Sequence, residues 1–253
     1  MAARTDHPGV VQPTDSNLMI WRYMGFTKFL YLVAQQSLFF CRSDRFEDPF
    51  EGSYPRLDID ITRQKICRDL PHDMWSSVSD DLRWLRGWTY VNCWHMNQQE
   101  SAAMWKLYSQ SQKAIAIRTT YGKFVSVLPD KAYVGCVRYL DYRKELMPEG
   151  DSAMLPFFHK RKSFTHENEV RAVIRQIPSN EGLPPGIPRD AYLRPENPDR
   201  GESIPIDIRA LIEMIYVGPM SAQWYLDLVK KVTQEYHISA PVLQSSMDDP
   251  AIF

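Results

Sequence analysis

Phe164-Thr-His-Glu-Asn-Glu-Val-Arg-Ala-Val-Ile174 sets two glutamates and an arginine into what otherwise reads as a core strand. An extended chain alternates its side chains between faces. It therefore puts Glu167, Glu169 and Arg171 on one side and Val170, Ala172 and Ile174 on the other. A strand with one wholly apolar face and one acid-acid-base face either closes a salt-bridged surface or lines a polar cleft. Cross-strand ion pairing accounts for the pattern without any chemistry. Acids at i and i+2, with Cα atoms roughly 7 Å apart, also suit a site in which one holds a hydroxyl while the other orients it or a nucleophile.

Upstream of this strand, residues 154–162 read as a helix ending in the basic triplet Lys160-Arg161-Lys162. The triplet suits either a solvated helix end with favourable dipole placement or a phosphate contact. Nearer the start, residues 18–24 form an apolar strand. Residues 26–36 form a helix with Phe26, Phe29, Leu30 and Val33 at core spacing, and 38–42 a second strand. A turn-rich loop follows over 43–52, where Asp48-Pro49 stops regular structure. Residues 61–86 read as two helices broken near Pro71, and 88–96 as an aromatic-rich strand. Asn97 and Glu100 read as the cap and capping-box acid of a helix running through Met104, Leu107 and Tyr108. Strands at 114–119 and 133–140 flank a short helix near 121–128. A strand at 212–217, an amphipathic helix at 221–236 and a strand at 238–243 complete the chain.

Residues 1–16 are polar and aperiodic, which predicts a flexible tail. Residues 178–205 hold seven of the chain's 18 prolines, so they read as an irregular insertion of the kind that forms lids or partner-binding loops. Helices and strands mix without strict alternation. The expected fold is therefore α+β, a single compact domain over 17–253 with a mixed, mostly antiparallel sheet flanked by helices.

At 253 residues, 44% hydrophobic and 24% charged, the chain has ample apolar surface for one core. A net charge of -1 exerts no global pull toward nucleic acid or an anionic membrane. No apolar run approaches the roughly 18 residues of a membrane span, and the first residues lack the apolar core of a secretory signal. Cys41, Cys67, Cys93 and Cys136 are widely spread and read as free thiols of a cytoplasmic protein. The sequence has no glycine-rich phosphate loop, no Gly-x-Ser-x-Gly elbow and no His-Glu-x-x-His helix. With six scattered histidines, no metal is expected.

The remaining candidates are charged or aromatic. Asp44, Asp48 and Glu51 sit in one loop beside Arg42 and Arg45, either as local caps and surface pairs or as a loop ordered against a ligand. Met104, Trp105 and Tyr108 read as core, although Trp105, set at a different angle, could stack on a flat ring.

Several motifs together resemble a bacterial domain family of unknown function, DUF2971. They are Trp21-Arg-Tyr23, Leu38-Phe-Phe-Cys-Arg-Ser-Asp-Arg-Phe-Glu-Asp-Pro-Phe-Glu51, Cys93-Trp94, Glu100-Ser-Ala-Ala-Met-Trp-Lys-Leu-Tyr108, Val137-Arg-Tyr139, Lys160-Arg161, His166-Glu-Asn-Glu-Val-Arg171 and Ile215-Tyr-Val-Gly218. The chain departs from the family in having Glu47 before Asp-Pro, and Phe164 and His166 at positions the family fills with other aromatics.

The layout of that family is similar to the ADP-ribosyltransferase-like folds, which include DNA-modifying toxins. The resemblance implies that Arg22 takes the first-strand role, Phe39 or Phe40 the aromatic role and Glu169 the catalytic glutamate role. Glu167 would support catalysis. Tyr23, Phe40, Arg42, Asp48, Glu51, Trp105, Tyr108, Lys160 and Arg171 would join Arg22 around a nucleotide. The implied substrate is NAD, with a protein or nucleic-acid acceptor, in bacterial defence or a toxin. Breaking the nicotinamide–ribose bond passes through an oxocarbenium-like state, which a nearby carboxylate stabilises. Two other readings fit the same residues. One is a non-catalytic module that binds or senses a nucleotide, nucleic acid or protein. The other is a metal-dependent hydrolase or nuclease using Asp48, Glu51 and Glu169.

Overall fold

The computed structural model describes residues 2–69, 74–108, 113–148, 152–178 and 197–250. In chain order the elements are β1 (Met19–Gly25), α1 (Phe26–Gln35), β2 (Ser37–Arg42), α2 (Arg56–Asp69), α3 (Met74–Gly87), β3 (Thr89–Met96), α4 (Ala102–Tyr108), β4 (Ala114–Thr120), α5 (Tyr121–Val127), β5 (Tyr133–Cys136), β6 (Arg138–Leu140), β7 (His159–Arg161), β8 (Glu169–Arg175), β9 (Gly201–Pro205), α6 (Ile208–Leu211), β10 (Met214–Val217), α7 (Gln223–Glu235) and β11 (Val242–Gln244). The result is a single compact α+β fold with a mixed, mostly antiparallel sheet.

The sheet is organised around β3. One edge of β3 pairs along its length with β8, from Thr89↔Arg175 to His95↔Glu169, and β5 continues the sheet beyond β8. The other edge is shared. β1 takes its end through Trp21↔His95 and Ile20↔Met96, and β2 takes its start through Cys41↔Val91 and Arg42↔Tyr90. Asn92, Cys93 and Trp94 pair with neither, so the sheet forks there. One arm runs β1-β4-β10-β11 and the other β2-β9.

The alternation on β8 holds, but both faces are covered. Val170, Ala172 and Ile174 enter the main core with Ile20, Ile115 and Ile117 of the sheet, Phe29 and Val33 of α1 and Val229 of α7. On the opposite side Val91 and Val173 meet Leu155, Phe157 and Phe158. Among the described residues no helix is long and apolar enough to cross a membrane.

Several expectations are corrected. Residues 2–16 are not a free tail. Ala3 and Val10 are buried, and the chain bridges the outer edge of β5 through Val134 N to Arg4 O at 2.9 Å and Cys136 N to Val11 O at 2.8 Å. An unpaired strand edge is thereby covered. The close approach depends on Gly135, where a Cβ would collide with Val10 Cγ1 and lie 2.9 Å from Val11 O. Gly135→Ala is therefore expected to lift this segment. Limited proteolysis should then cleave the variant within residues 2–16 well before wild type, and equal rates would contradict the packing.

Residues 154–162 are not one helix. Leu155-Pro-Phe-Phe158 is buried on every side and leaves no polar face, so it makes a short 3-10 turn and the chain extends as β7. The strand expected over 133–140 is interrupted after Val137: its N–H still reaches Glu169 O at 2.8 Å, in register with the β5-β8 ladder, and residues 138–140 then pair with β7 instead. Within the proline-rich segment, residues 201–205 form β9, paired with β2 from Ser37↔Pro205 to Cys41↔Gly201. Edge placement lets Pro205 close a strand without losing a ladder bond. Residues 179–196 lie outside the described residues.

Candidate functional site

Arg22 closes the fork. From β1 its Nη1 donates to Cys93 O at 3.1 Å and its Nη2 to Phe39 O at 3.5 Å, and its guanidinium lies 5.9 Å from the Trp94 ring. Asn92 Nδ2 donates to the same Phe39 carbonyl at 2.9 Å. These side chains bridge the arms where ladder bonds are missing. Burial lowers the Arg22 pKa, and Tyr108 and two cysteines partly offset it. No carboxylate pairs with Arg22 among the described residues.

Above the fork lies a cleft of about 960 Å³, lined by Arg22, Tyr23, Lys28, Phe39, Glu51, Cys93, His95, Tyr108, Lys160, Glu167 and Glu169 among others. Tyr23 forms one wall, stacked on Tyr108 at 6.4 Å and edge-on to Trp105 at 4.9 Å. Lys28 and Arg200 line the part of the cleft on the β2-β9 side, across β3 from β8. Neither has a carboxylate partner among the described residues.

The floor beside β8 is a network of buried charges. Arg171 is fully buried and donates Nε to Glu169 Oε2 at 2.6 Å, Nη2 to Glu169 Oε1 at 3.2 Å, Nη1 to Phe157 O at 2.9 Å and Nη1 to Glu51 Oε1. Lys160 Nζ donates to Glu169 Oε1 at 3.0 Å and to Glu167 Oε2, and lies 3.9 Å from Glu51 Oε2. Glu51 arrives there because of its turn. Asp48 accepts from Phe50 N at 3.0 Å and pairs with Arg161 at 2.7 Å. Gly52, at φ +68°, lets the backbone settle on the Phe157 ring, where a Cβ would overlap it.

Glu167 is not a strand residue. It ends a 3-10 turn, and Asn168 follows in the left-handed region at φ 38°, its side chain donating to Met96 O at 2.6 Å. That reversal still returns the Glu167 carboxyl beside Glu169. Glu51 and Glu169 balance Lys160 and Arg171, so among the described residues a further negative charge in this network has no counterpart. Burial, then the hydrogen bond and charge of Glu169, push Glu167 up to about 8, only partly offset by Lys160. Burial alone would also raise Glu169, but Arg171, its hydrogen bond from Glu167 and Lys160 hold it well below the usual carboxylate range. The two shifts run in opposite directions, which favours a protonated Glu167 beside an ionised Glu169.

His95, opposite Glu169 on β3, is buried. Its Nδ1 meets Glu167 O at 2.6 Å. A carbonyl can only accept, so Nδ1 carries the proton and Nε2 is an acceptor. Burial lowers the His95 pKa, which favours the neutral ring.

Of the residues expected at a site, the structure brings Arg22, Tyr23, Asp48, Glu51, Tyr108, Lys160, Glu167 and Glu169 to the cleft wall. Arg171 lies beneath the floor. Phe40 points into the core and Phe39 into the cleft, as alternation on β2 requires. Trp105 is buried behind Tyr23, its Nε1 donating to Glu100 at 2.8 Å. Glu100 therefore is not a capping-box acid. It also accepts from Ser245 Oγ at 2.6 Å and Ser246 N at 2.9 Å, while Ser101 Oγ accepts from Met104 N at 3.3 Å at the helix start.

Arg42 is drawn away from the cleft by Asp44, at 2.6 Å, and by the carbonyls of Asn197 and Asp199. His95 and Lys28 were not singled out by the sequence. Period two on β3 places His95 with Cys93, but only the β3-β8 register shows that both face the acids. Among the described residues, no cluster of three or more His, Cys, Asp or Glu side chains is arranged to hold a metal. Compared with known proteins, the chain matches no family model and no curated protein.

Proposed function

We propose that the cleft binds NAD and that the chain is an enzyme of ADP-ribosyltransferase-like layout, breaking the nicotinamide–ribose bond. The observation that carries this reading is the carboxyl pair Glu167–Glu169 at one end of a cleft whose other side presents Arg22, Lys28 and Arg200. A dinucleotide suits this arrangement, with an anionic pyrophosphate for the cations and a cationic nicotinamide riboside beside Glu167, where it would draw off the proton. Phe39 and Tyr108 offer flat apolar surface between them.

Glu169 is saturated by Arg171 and Lys160. It acts as fixed charge, and Glu167 is the carboxyl that meets the ligand. As the C1′–N bond breaks, its electron pair leaves with neutral nicotinamide and the ribosyl carbon gains positive charge. That charge favours Glu167 passing its proton to water in the cleft, so its negative charge strengthens as the cation forms; a water or acceptor hydroxyl then bonds to C1′ and returns its own proton to Glu167.

The test is release of nicotinamide from NAD. Glu167→Gln and Glu169→Gln are each expected to lower it by about 100-fold or more. Release unchanged in both variants would sink the assignment. A second reading, a non-catalytic nucleotide sensor, draws on the same saturation of Glu169, and tight NAD binding without turnover would favour it. Metal-dependent hydrolysis draws less support. Asp48, Glu51 and Glu169 are each engaged by a cation of the chain, and the Lys160 ammonium sits among the carboxylates.

A further inference from the structure

Two acceptors on the cleft floor lack hydrogen-bond donors among the described residues. His95 Nε2 and Glu51 Oε2 are both buried without such a donor, in residues 6% and 1% exposed. Both residues line the cleft. Every other oxygen of the carboxyl network that faces Arg171 or Lys160 is satisfied. Leaving a buried acceptor unpaired costs stability, so these two, together on the floor and with Ser37 Oγ likewise unpaired in the cleft lining, point to a ligand that supplies the protons.

The chemistry of the floor narrows what that ligand is. A phosphate is anionic near neutrality and would be repelled by Glu51 and Glu169. An ammonium would meet Lys160 and Arg171. A primary amide would bring its own carbonyl, which needs a further donor. Hydroxyls donate, carry no charge and demand nothing else. We propose that the floor is a hydroxyl-recognising subsite, in which His95 Nε2 and Glu51 Oε2 accept from hydroxyls of a neutral sugar ring and so set which end of the ligand enters. The anionic end is then left to Arg22, Lys28 and Arg200. The choice of riboside probes rests on the NAD reading, but the subsite itself does not.

Calorimetric titration tests it, using nicotinamide riboside and its 2′-deoxy and 3′-deoxy analogues. Wild type should bind at least one deoxy analogue about tenfold or more weakly than the parent. His95→Asn keeps a donor for Glu167 O at the Nδ1 position and loses the Nε2 acceptor. In this variant the parent should fall to the affinity of the deoxy analogue, while nicotinamide alone binds as it does to wild type. His95→Gln, whose carbonyl reaches the Nε2 position, should recover part of the discrimination.

Equal binding of parent and deoxy analogues by wild type, in this series and in the adenosine series below, overturns the proposal. So does full discrimination retained in His95→Asn. A parallel series with adenosine and its deoxy forms separates the two claims. His95-dependent discrimination there, with NAD inert, would overturn the NAD reading and leave the subsite standing. NAD turnover with no hydroxyl discrimination in either series would do the reverse.

Discussion

Arg171→Met should destabilise the fold by about 3–5 kcal/mol, the usual cost of breaking one side of a buried ion network. Arg171 is fully buried and satisfies three acceptors, the carboxylates of Glu169 and Glu51 and the Phe157 carbonyl. Removing it leaves two buried carboxylates against Lys160 alone. Arg171→Lys should recover little, because an ammonium cannot reproduce the fork that reaches Glu169 and Glu51 together. Glu51→Gln added to Arg171→Met should restore part of the loss, since the two positions are directly coupled. Urea unfolding of the four proteins measures this. A loss below about 1 kcal/mol for Arg171→Met would contradict the network's charge balance.

Glu167→Gln should be more stable than wild type in mild alkali and nearly equal to it in mild acid. The sign follows from where the proton sits. The Glu167 pKa is raised from 4.5 to about 8 in the fold. Between those values the unfolded chain has released its proton and the folded chain still holds it. The folded state binds more protons there, so stability falls as pH rises through this window and levels off above it.

The titratable groups around Glu167 include Glu169 of β8, Lys160 of β7, His95 of β3, Tyr108 of α4 and Tyr139 of β6. Glutamine stays neutral, can accept from Lys160 and can donate to Glu169, so it copies the protonated carboxyl at every pH. The gap in thermal midpoint between variant and wild type should open from pH 5 to pH 8, to a stability difference of a few kcal/mol. A gap that is flat with pH would mean that Glu167 is ionised in the fold like an ordinary surface acid. Glu169 contributes with the opposite sign. Its lowered pKa gives stability that is present above its ordinary value and lost as pH falls through the folded one.

Alternation alone located Glu169, Arg171 and the apolar face of β8, because a strand's period is local. It misplaced Glu167, because one left-handed residue, Asn168, broke the period. That the carboxyl nonetheless returns to Glu169 is a tertiary result, fixed by Lys160 and by His95 Nδ1. The docked N-terminal segment and β9 were missed for a related reason. Polar or proline-rich composition predicts irregular chain, whereas both segments are held by pairing with the distant edges of β5 and β2.

The fork itself has no local signature. Nothing within residues 89–96 tells that one edge of β3 will serve two strands, and the cleft exists because it does. Arg22 was legible as a site residue only through a resemblance. Its role in bridging Phe39 and Cys93 emerges from the topology.

The most direct test of the account is a pH titration of carbon-13-labelled glutamate carboxyls by nuclear magnetic resonance, with and without saturating NAD. One carboxyl should titrate near 8, vanish in Glu167→Gln and move to lower pH when the cationic nicotinamide riboside binds beside it. Glutamates that all titrate in the ordinary range, or a high-titrating carboxyl indifferent to NAD, would contradict a neutral Glu167 waiting in the cleft for a cationic ligand.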